Sequence, residues 1–216
     1  MAAAAQKEFF MKRNNYAIQA GLAKQRFLTY DQGQLIKKFH MAADEDYLYP
    51  VMLGLTYRLD RKTGNLEKQV AGNWHDANGF HEVMTLLDLV CDAKPQRCLS
   101  GRWKSMQDFG MQFHQNLVEE RPGPAAEHFN SHPECLHAGC LALGGRPLGS
   151  ADISYAIELF DGLQIAVQFW HGDDEFAPRL RYLWDENALM YIRYETMYYA
   201  VGLLLERLTQ GSLHQA

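Results

Sequence analysis

The sequence predicts an α+β fold, with N-terminal, central and C-terminal helices packed on an antiparallel sheet. Three observations predict it. Apolar residues recur at helical spacing over residues 6–28, 80–91 and 194–208. Between these stretches, short runs alternate apolar with polar or small residues, the period of a half-buried strand. Neighbouring runs are joined by turns too short for a crossover, so their strands run antiparallel. The 216 residues are read as a single domain, 1–216, with a weak subdomain break near 121–131. A chain this long buries roughly 70% of its unfolded surface and needs no metal or disulfide as a staple.

Residues 6–28 place Phe9, Tyr16, Ala20, Ala23 and Phe27 along one helical face. Asp31 is a candidate N-cap for a second short helix, with Leu35, Ile36 and Phe39 on its apolar side. Asp44-Glu45-Asp46 is a turn. Residues 47–60 read as strands broken at Pro50 and Gly54, and 61–65 as a hairpin loop with Gly64 at the position that favours positive φ. Residues 66–70 return as an edge strand. The clearest helix of the first half spans 80–91, with Val83, Leu86, Leu87, Val90 and Cys91 in one stripe, and Lys94-Pro95 ends it. A loop holds Gly101-Arg102-Trp103, followed by short helices over 105–109 and 113–120. Arg121-Pro122-Gly123-Pro124 is the strongest loop signal. Residues 135–143 form a short helix closed by Gly144-Gly145 and Pro147. Ile153, Tyr155, Ile157 and Leu159 alternate, Asp161-Gly162 turns, and Ile165, Val167 and Phe169 continue the alternation. A tight loop over 172–176 leads to a third strand carrying Leu180, Tyr182 and Trp184. The closing helix covers 194–208.

Composition narrows the function classes. Hydrophobic residues make 47% and charged residues 22%, globular values that exclude disordered, collagen-like and fibrous chains. Residues 1–13 lack the apolar core of a signal peptide, and no run approaches the ~18 apolar residues of a membrane span, so a cytoplasmic location and no membrane contact are expected. Cys91, Cys98, Cys135 and Cys140 are read as thiols. The formal charge is −5, unevenly placed. Residues 1–40 hold seven Lys/Arg against two acids, a balance of +5 that leaves −10 for the remainder. An acidic body with a short basic stretch argues against nucleic acid. That stretch is either a solvated helix face or a dock for an acidic protein partner. No G-x-G-x-x-G, G-x4-G-K-(S/T), G-x-S-x-G or H-E-x-x-H occurs, so common nucleotide, hydrolase and metalloprotease machinery has no support.

Residues 172–185, GDDEFAPRLRYLWD, together with Asp46 to Tyr57, Gly101-Arg102-Trp103 with Ser105, and Leu143-Gly144-Gly145-Arg146-Pro147-Leu148, resemble an uncharacterised bacterial and archaeal family labelled domain of unknown function 3786. The matches keep the family's order and span about 30–208. Ala177 stands where the family usually has proline, and residues 128–140 lie outside its pattern. The resemblance implies no activity. Some members look to be joined to a small iron–sulfur domain found beside corrinoid proteins in anaerobes, which implies a context of anaerobic cofactor metabolism. This chain lacks the four-cysteine motif of such a domain.

Three constellations carry candidate chemistry. Asp173, Asp174 and Glu175 are consecutive carboxylates that would raise one another's pKa unless a cation neutralises them, as in a general acid or a hard-cation site. Arg102 is the natural partner for that loop, with Phe176 buried beneath it. The plainer alternative is a turn whose Asp side chains bond their own backbone. His128, His132, Cys135, His137 and Cys140 offer borderline and soft ligands for a transition metal, against the alternative of buried thiols and loop histidines. His75 and His81 flank Trp74 and Phe80, where they would either contact a planar cofactor or border a core helix. Arg102, Trp103, His75, His81, Trp170 and His171 are thus the candidate ligand-binding residues, with Trp74, Trp103 and Trp170 lining an apolar pocket. The function expected first is an accessory ligand-binding protein for a small molecule or cofactor, with haem, cobalamin or a transition metal to be tested. The alternatives are an enzyme using the acidic loop and a protein-interaction subunit using the basic first helix.

Overall fold

The computed structural model describes residues 2–110 and 123–210. The helix expected over 113–120 lies outside them, as do the side chains of Lys7, Phe9, Lys12 and Arg13. Two helices lead, α1 (Ala2–Leu28) and α2 (Gln32–Phe39). Six short strands follow: β1 (Ala42–Ala43), β2 (Tyr47–Tyr49), β3 (Val51–Met52), β4 (Leu55–Asp60), β5 (Leu66–Val70) and β6 (Asn73–Asp76). Helix α3 (Phe80–Asp92) precedes β7 (Trp103–Ser105) and a 3-10 helix (Met106–Phe109). Then come α4 (Pro124–Ser131), α5 (Pro133–Ala142), β8 (Arg146–Pro147), β9 (Ile153–Phe160), β10 (Leu163–Trp170), β11 (Arg179–Asp185), a second 3-10 turn (Ala188–Met190) and α6 (Tyr194–Gln210).

The fold is α+β with antiparallel strands, and those strands form two sheets. One runs β1-β2-β4-β5-β6 with β3 on β4; the other runs β7-β11-β10-β9-β8. The sheets meet where the Leu53 N–H donates to the Leu159 carbonyl at 3.0 Å. Three hairpins turn through two residues that both have positive φ: Leu53-Gly54, Ala71-Gly72 and Asp161-Gly162. Such turns match the twist of the flanking strands, and glycine supplies the second position without a Cβ penalty.

Three elements differ from expectation. β5 is an interior strand, because the Ala71-Gly72 turn returns the chain as β6, which takes the edge. Trp103 opens β7, paired opposite Asp185. Pro124 opens α4, since its missing N–H and fixed φ suit the first helical turn.

Asp31 caps α2 as expected, its Oδ1 accepting from the Gln34 N–H at 3.1 Å. Ala20, Ala23 and Phe27 face the core, whereas Tyr16 stays half exposed with its ring 4.5 Å from that of Phe80. One continuous apolar cluster joins α1, both sheets, α3 and α6. Helix α3 is buried from Glu82 to Cys91 except at Met84, so its charged residues require partners inside the fold.

Candidate functional site

The acidic loop closes on itself. Asp173 Oδ1 accepts from the N–H groups of Glu175 at 2.8 Å and Phe176 at 2.7 Å, and the Asp173 N–H donates to the Phe176 carbonyl at 2.8 Å. The Phe176 and Glu175 amides hold the Asp173 carboxyl below its ordinary value, opposite to the mutual rise expected of crowded acids. The Asp174 and Glu175 side chains are exposed, and no ion pair among the described residues reaches any of the three carboxylates. Phe176 is 69% exposed rather than buried. The cause lies at Gly172: a Cβ there would sit 2.6 Å from Pro178 Cδ, so the loop pinches its two ends together and turns its tip outward. This is the plainer alternative, an Asp-bonded turn.

Arg102 does not meet the loop. Trp103 pairs opposite Asp185, which sets Arg102 beside Glu186, and its Nε donates to Glu186 Oε2 at 2.6 Å. Lys104 Nζ reaches the other oxygen at 2.8 Å. The acidic loop precedes Arg179, at the opposite end of β11, about 20 Å away at ~3.3 Å per residue. Asp185 lies between, 6% exposed. Its carboxylate accepts from Ser100 N at 3.0 Å, Ser100 Oγ at 3.1 Å, Gly101 N at 2.8 Å and Asn187 N at 2.8 Å. Burial works against that charge, yet the Ser100, Asn187 and Gly101 amides hold the carboxyl below its ordinary value.

The three tryptophans do not share a pocket. Trp170 and Trp103 flank opposite ends of β11, and Trp74 belongs to the other sheet. Arg179 lies over Trp170 at 5.7 Å, and Arg58 lies over Trp74 at 4.7 Å. The His171 N–H donates to Asp152 at 2.8 Å, and its ring meets Phe169 edge-on at 5.1 Å.

The His/Cys segment is dispersed as well. His128 and His132 stack at 5.1 Å on consecutive turns. Helix α5 carries the other three residues in different directions. His137 Nδ1 is 2.7 Å from the Tyr155 hydroxyl, Cys135 is half-buried beside Glu134, and Cys140 is in the core with its thiol pushed up to about 12 by burial. Among the described residues, no three His, Cys, Asp or Glu side chains are placed to hold a metal ion.

The basic N-terminal stretch is partly consumed inside the fold. Lys24 bonds Asn65 at 2.9 Å and Asn78 at 2.6 Å, and Lys38 bonds the carbonyls of Val90 at 2.8 Å and Ala93 at 3.0 Å. Arg26 joins Asp88 and Asp92 of α3. On the outer side of α1, Ile18 and Leu22 are 51% and 63% exposed.

A different group of residues converges next to His75 and His81. Tyr57 on β4 and Lys68 on β5 are cross-strand partners, and His75 on β6 is the next partner of Lys68, so all three point to the same side of the sheet. Facing them is Glu82, in the first turn of α3 and 8% exposed. Glu82 Oε1 accepts from Tyr57 Oη at 3.1 Å and Lys68 Nζ at 3.0 Å, and it is also met by Arg207 from α6. Arg207 donates to Tyr57 Oη at 2.9 Å. Burial, then the Glu82 charge, push the Tyr57 phenol far above its ordinary range, so it remains a protonated donor. His81 borders the group, with Nδ1 2.7 Å from Glu206 Oε1 and its ring against Gly202.

A second ionic cluster among the described residues is built differently. Asp88 and Asp92 of α3 face Arg26 and Arg193, with Tyr30 and Thr196 donating as well. Two acids there meet two guanidiniums. Around Glu82, one acid meets two cations.

No helix among the described residues is long and apolar enough to cross a membrane. Neither a curated protein nor a solved structure matches the chain. The model of the family described as domain of unknown function (DUF3786) matches residues 31–207, most of the chain, and the protein belongs to that family.

Proposed function

We propose that this protein is an accessory ligand-binding protein, and that its ligand docks at the Tyr57–Lys68–Glu82–Arg207 cluster. One observation carries the reading: three polar side chains from β4, β5 and α6 converge on the Glu82 carboxylate of α3, largely out of water, and among the described residues one cation is left without a counter-charge. A cluster that only fastened elements together would be expected to balance its charges, as the Asp88–Asp92 cluster does. The reading assigns no reaction. Tyr57 is held protonated, and Glu82 Oε1 already accepts from three donors.

The test is a thermal-shift screen of a small-molecule panel that includes haem and cobalamin, run on wild type and Lys68→Met. It is accompanied by the absorption spectrum of protein purified without oxygen. A ligand present at a hundred times its dissociation constant stabilises by ~2.7 kcal/mol, a rise of roughly 5–10 °C for a chain of this size. The expected result is at least one compound that raises the wild-type midpoint and leaves Lys68→Met unmoved. A panel with no effect on wild type, or equal effects on both proteins, refutes the reading.

A further inference from the structure

Resting on that binding reading, we infer that the ligand presents a singly charged carboxylate to Lys68 and Arg207. The argument begins with charge. Lys68 and Arg207 have side chains only 19% and 10% exposed, and Glu82 supplies one negative charge between them. Glu206 lies outside the group: its half-exposed carboxylate faces His81 and makes no ion pair with Lys68 or Arg207. Cationic groups held this far out of water favour an anion beside them.

Donor capacity points the same way. Lys68 Nζ has three donors, and one of them is used, on Glu82 Oε1. Arg207 Nε is buried and meets no acceptor among the described residues. Three donors crowd onto Oε1 of Glu82, and none among the described residues bonds its Oε2, so the cluster leaves donor capacity unused.

The surplus is one charge, which selects the ligand class. A carboxylate adds one negative charge and offers two oxygens, one for an ammonium and one for a guanidinium. A phosphate carries nearly two charges at pH 7 and would leave the group net negative.

Sodium acetate is the probe. Its concentration is raised at constant ionic strength, with sodium chloride making up the balance and sodium phosphate as a parallel arm, while the thermal midpoint of the full chain is followed. Wild type is expected to show a saturable rise with acetate and none with phosphate. Lys68→Met is expected to keep a chloride-only midpoint within about 2 °C of wild type, because Arg207 and Tyr57 still satisfy Glu82, and to lose the acetate response. Lys68→Gln serves the same purpose if the Met variant lacks native far-UV circular dichroism. A fall of more than about 5 °C in both variants, with no acetate response in wild type, makes the cluster a clamp and overturns the inference. A larger rise with phosphate than with acetate also overturns it. Failure of the anion class is distinguishable from failure of the binding reading: uncharged panel compounds that act through Lys68 sink only the former, whereas a silent panel sinks both.

Discussion

Replacing Asp185 with alanine removes the acceptor from three backbone N–H groups, those of Ser100, Gly101 and Asn187, and from the Ser100 hydroxyl. Each donor left unmatched costs about 1–3 kcal/mol when water cannot replace the acceptor. The site is only partly sealed, so the lower figure applies to each amide and the total is about 3 kcal/mol. For a chain of this length that is a fall of roughly 6–12 °C in Tm. Asp185→Asn keeps one acceptor oxygen but loses the charge, and it should fall between wild type and the alanine variant. Urea unfolding followed by near-UV circular dichroism measures both. The pH dependence has a definite sign. The folded carboxyl titrates below its unfolded value, so its contribution is present in full above about pH 4, the ordinary Asp range, and is lost as pH falls through the folded pKa. The gap between wild type and Asp185→Asn should therefore be widest at pH 7 and close in acid. A gap below about 1 kcal/mol at pH 7, or one that widens on acidification, refutes the reasoning.

Three further outcomes are expected. Neutralising the acidic loop with Asp174→Asn and Glu175→Gln should leave the urea midpoint unchanged, because both side chains are exposed; a clear loss would show an internal partner for them. At pH 8, a thiol reagent such as dithionitrobenzoate should label exposed Cys98 quickly and half-buried Cys135 more slowly, while Cys91 and Cys140, both buried with thiols pushed up to about 12, react only after unfolding. Gly139→Ala should cost about 1–3 kcal/mol in the same urea assay, since its new Cβ would stand 3.0 Å from the Leu208 carbonyl where α5 crosses α6; an unchanged midpoint would mean that the two helices separate freely.

What was legible in the sequence followed local rules. The Asp31 cap, the positive-φ Gly64, the Asp161-Gly162 hairpin and the long alternating runs of β9 and β10 each depend on neighbours a few residues away. Residues 73–76 were silent because Asn-Trp-His-Asp has neither alternation nor branched residues, and only the Gly72 turn marks the strand. The candidate site was the least legible part. Arg207 and Tyr57 are 150 positions apart, and no spacing rule links them. The acidic loop, by contrast, stood out through its composition and proved to satisfy itself. A usable signal was nevertheless present: Glu82 and Asp88 sit in a helix whose other residues from 83 to 91 are almost all apolar. A charge with no polar face to occupy has to find a partner elsewhere in the fold.

That requirement explains how α3 organises the molecule. Its three acids occupy successive levels of one helix, and each recruits cations from another part of the chain: Glu82 draws on β5 and α6, Asp88 on α1, and Asp92 on α1 and on Arg193 just before α6. Apolar packing alone tolerates sliding of helices by a turn, whereas a buried carboxylate with a single matching guanidinium does not. Asp88 and Asp92 share Arg26, and Arg193 on Asp92 brings the set to neutral, which fixes α1 against α3. The first level, at Glu82, receives two cations for its one charge. If fixing α6 were its whole purpose, Arg207 with Tyr57 would suffice and Lys68 would add only the cost of a second desolvated charge. On the binding reading proposed above, the surplus lysine at that level has a use that a fastening alone would not give it.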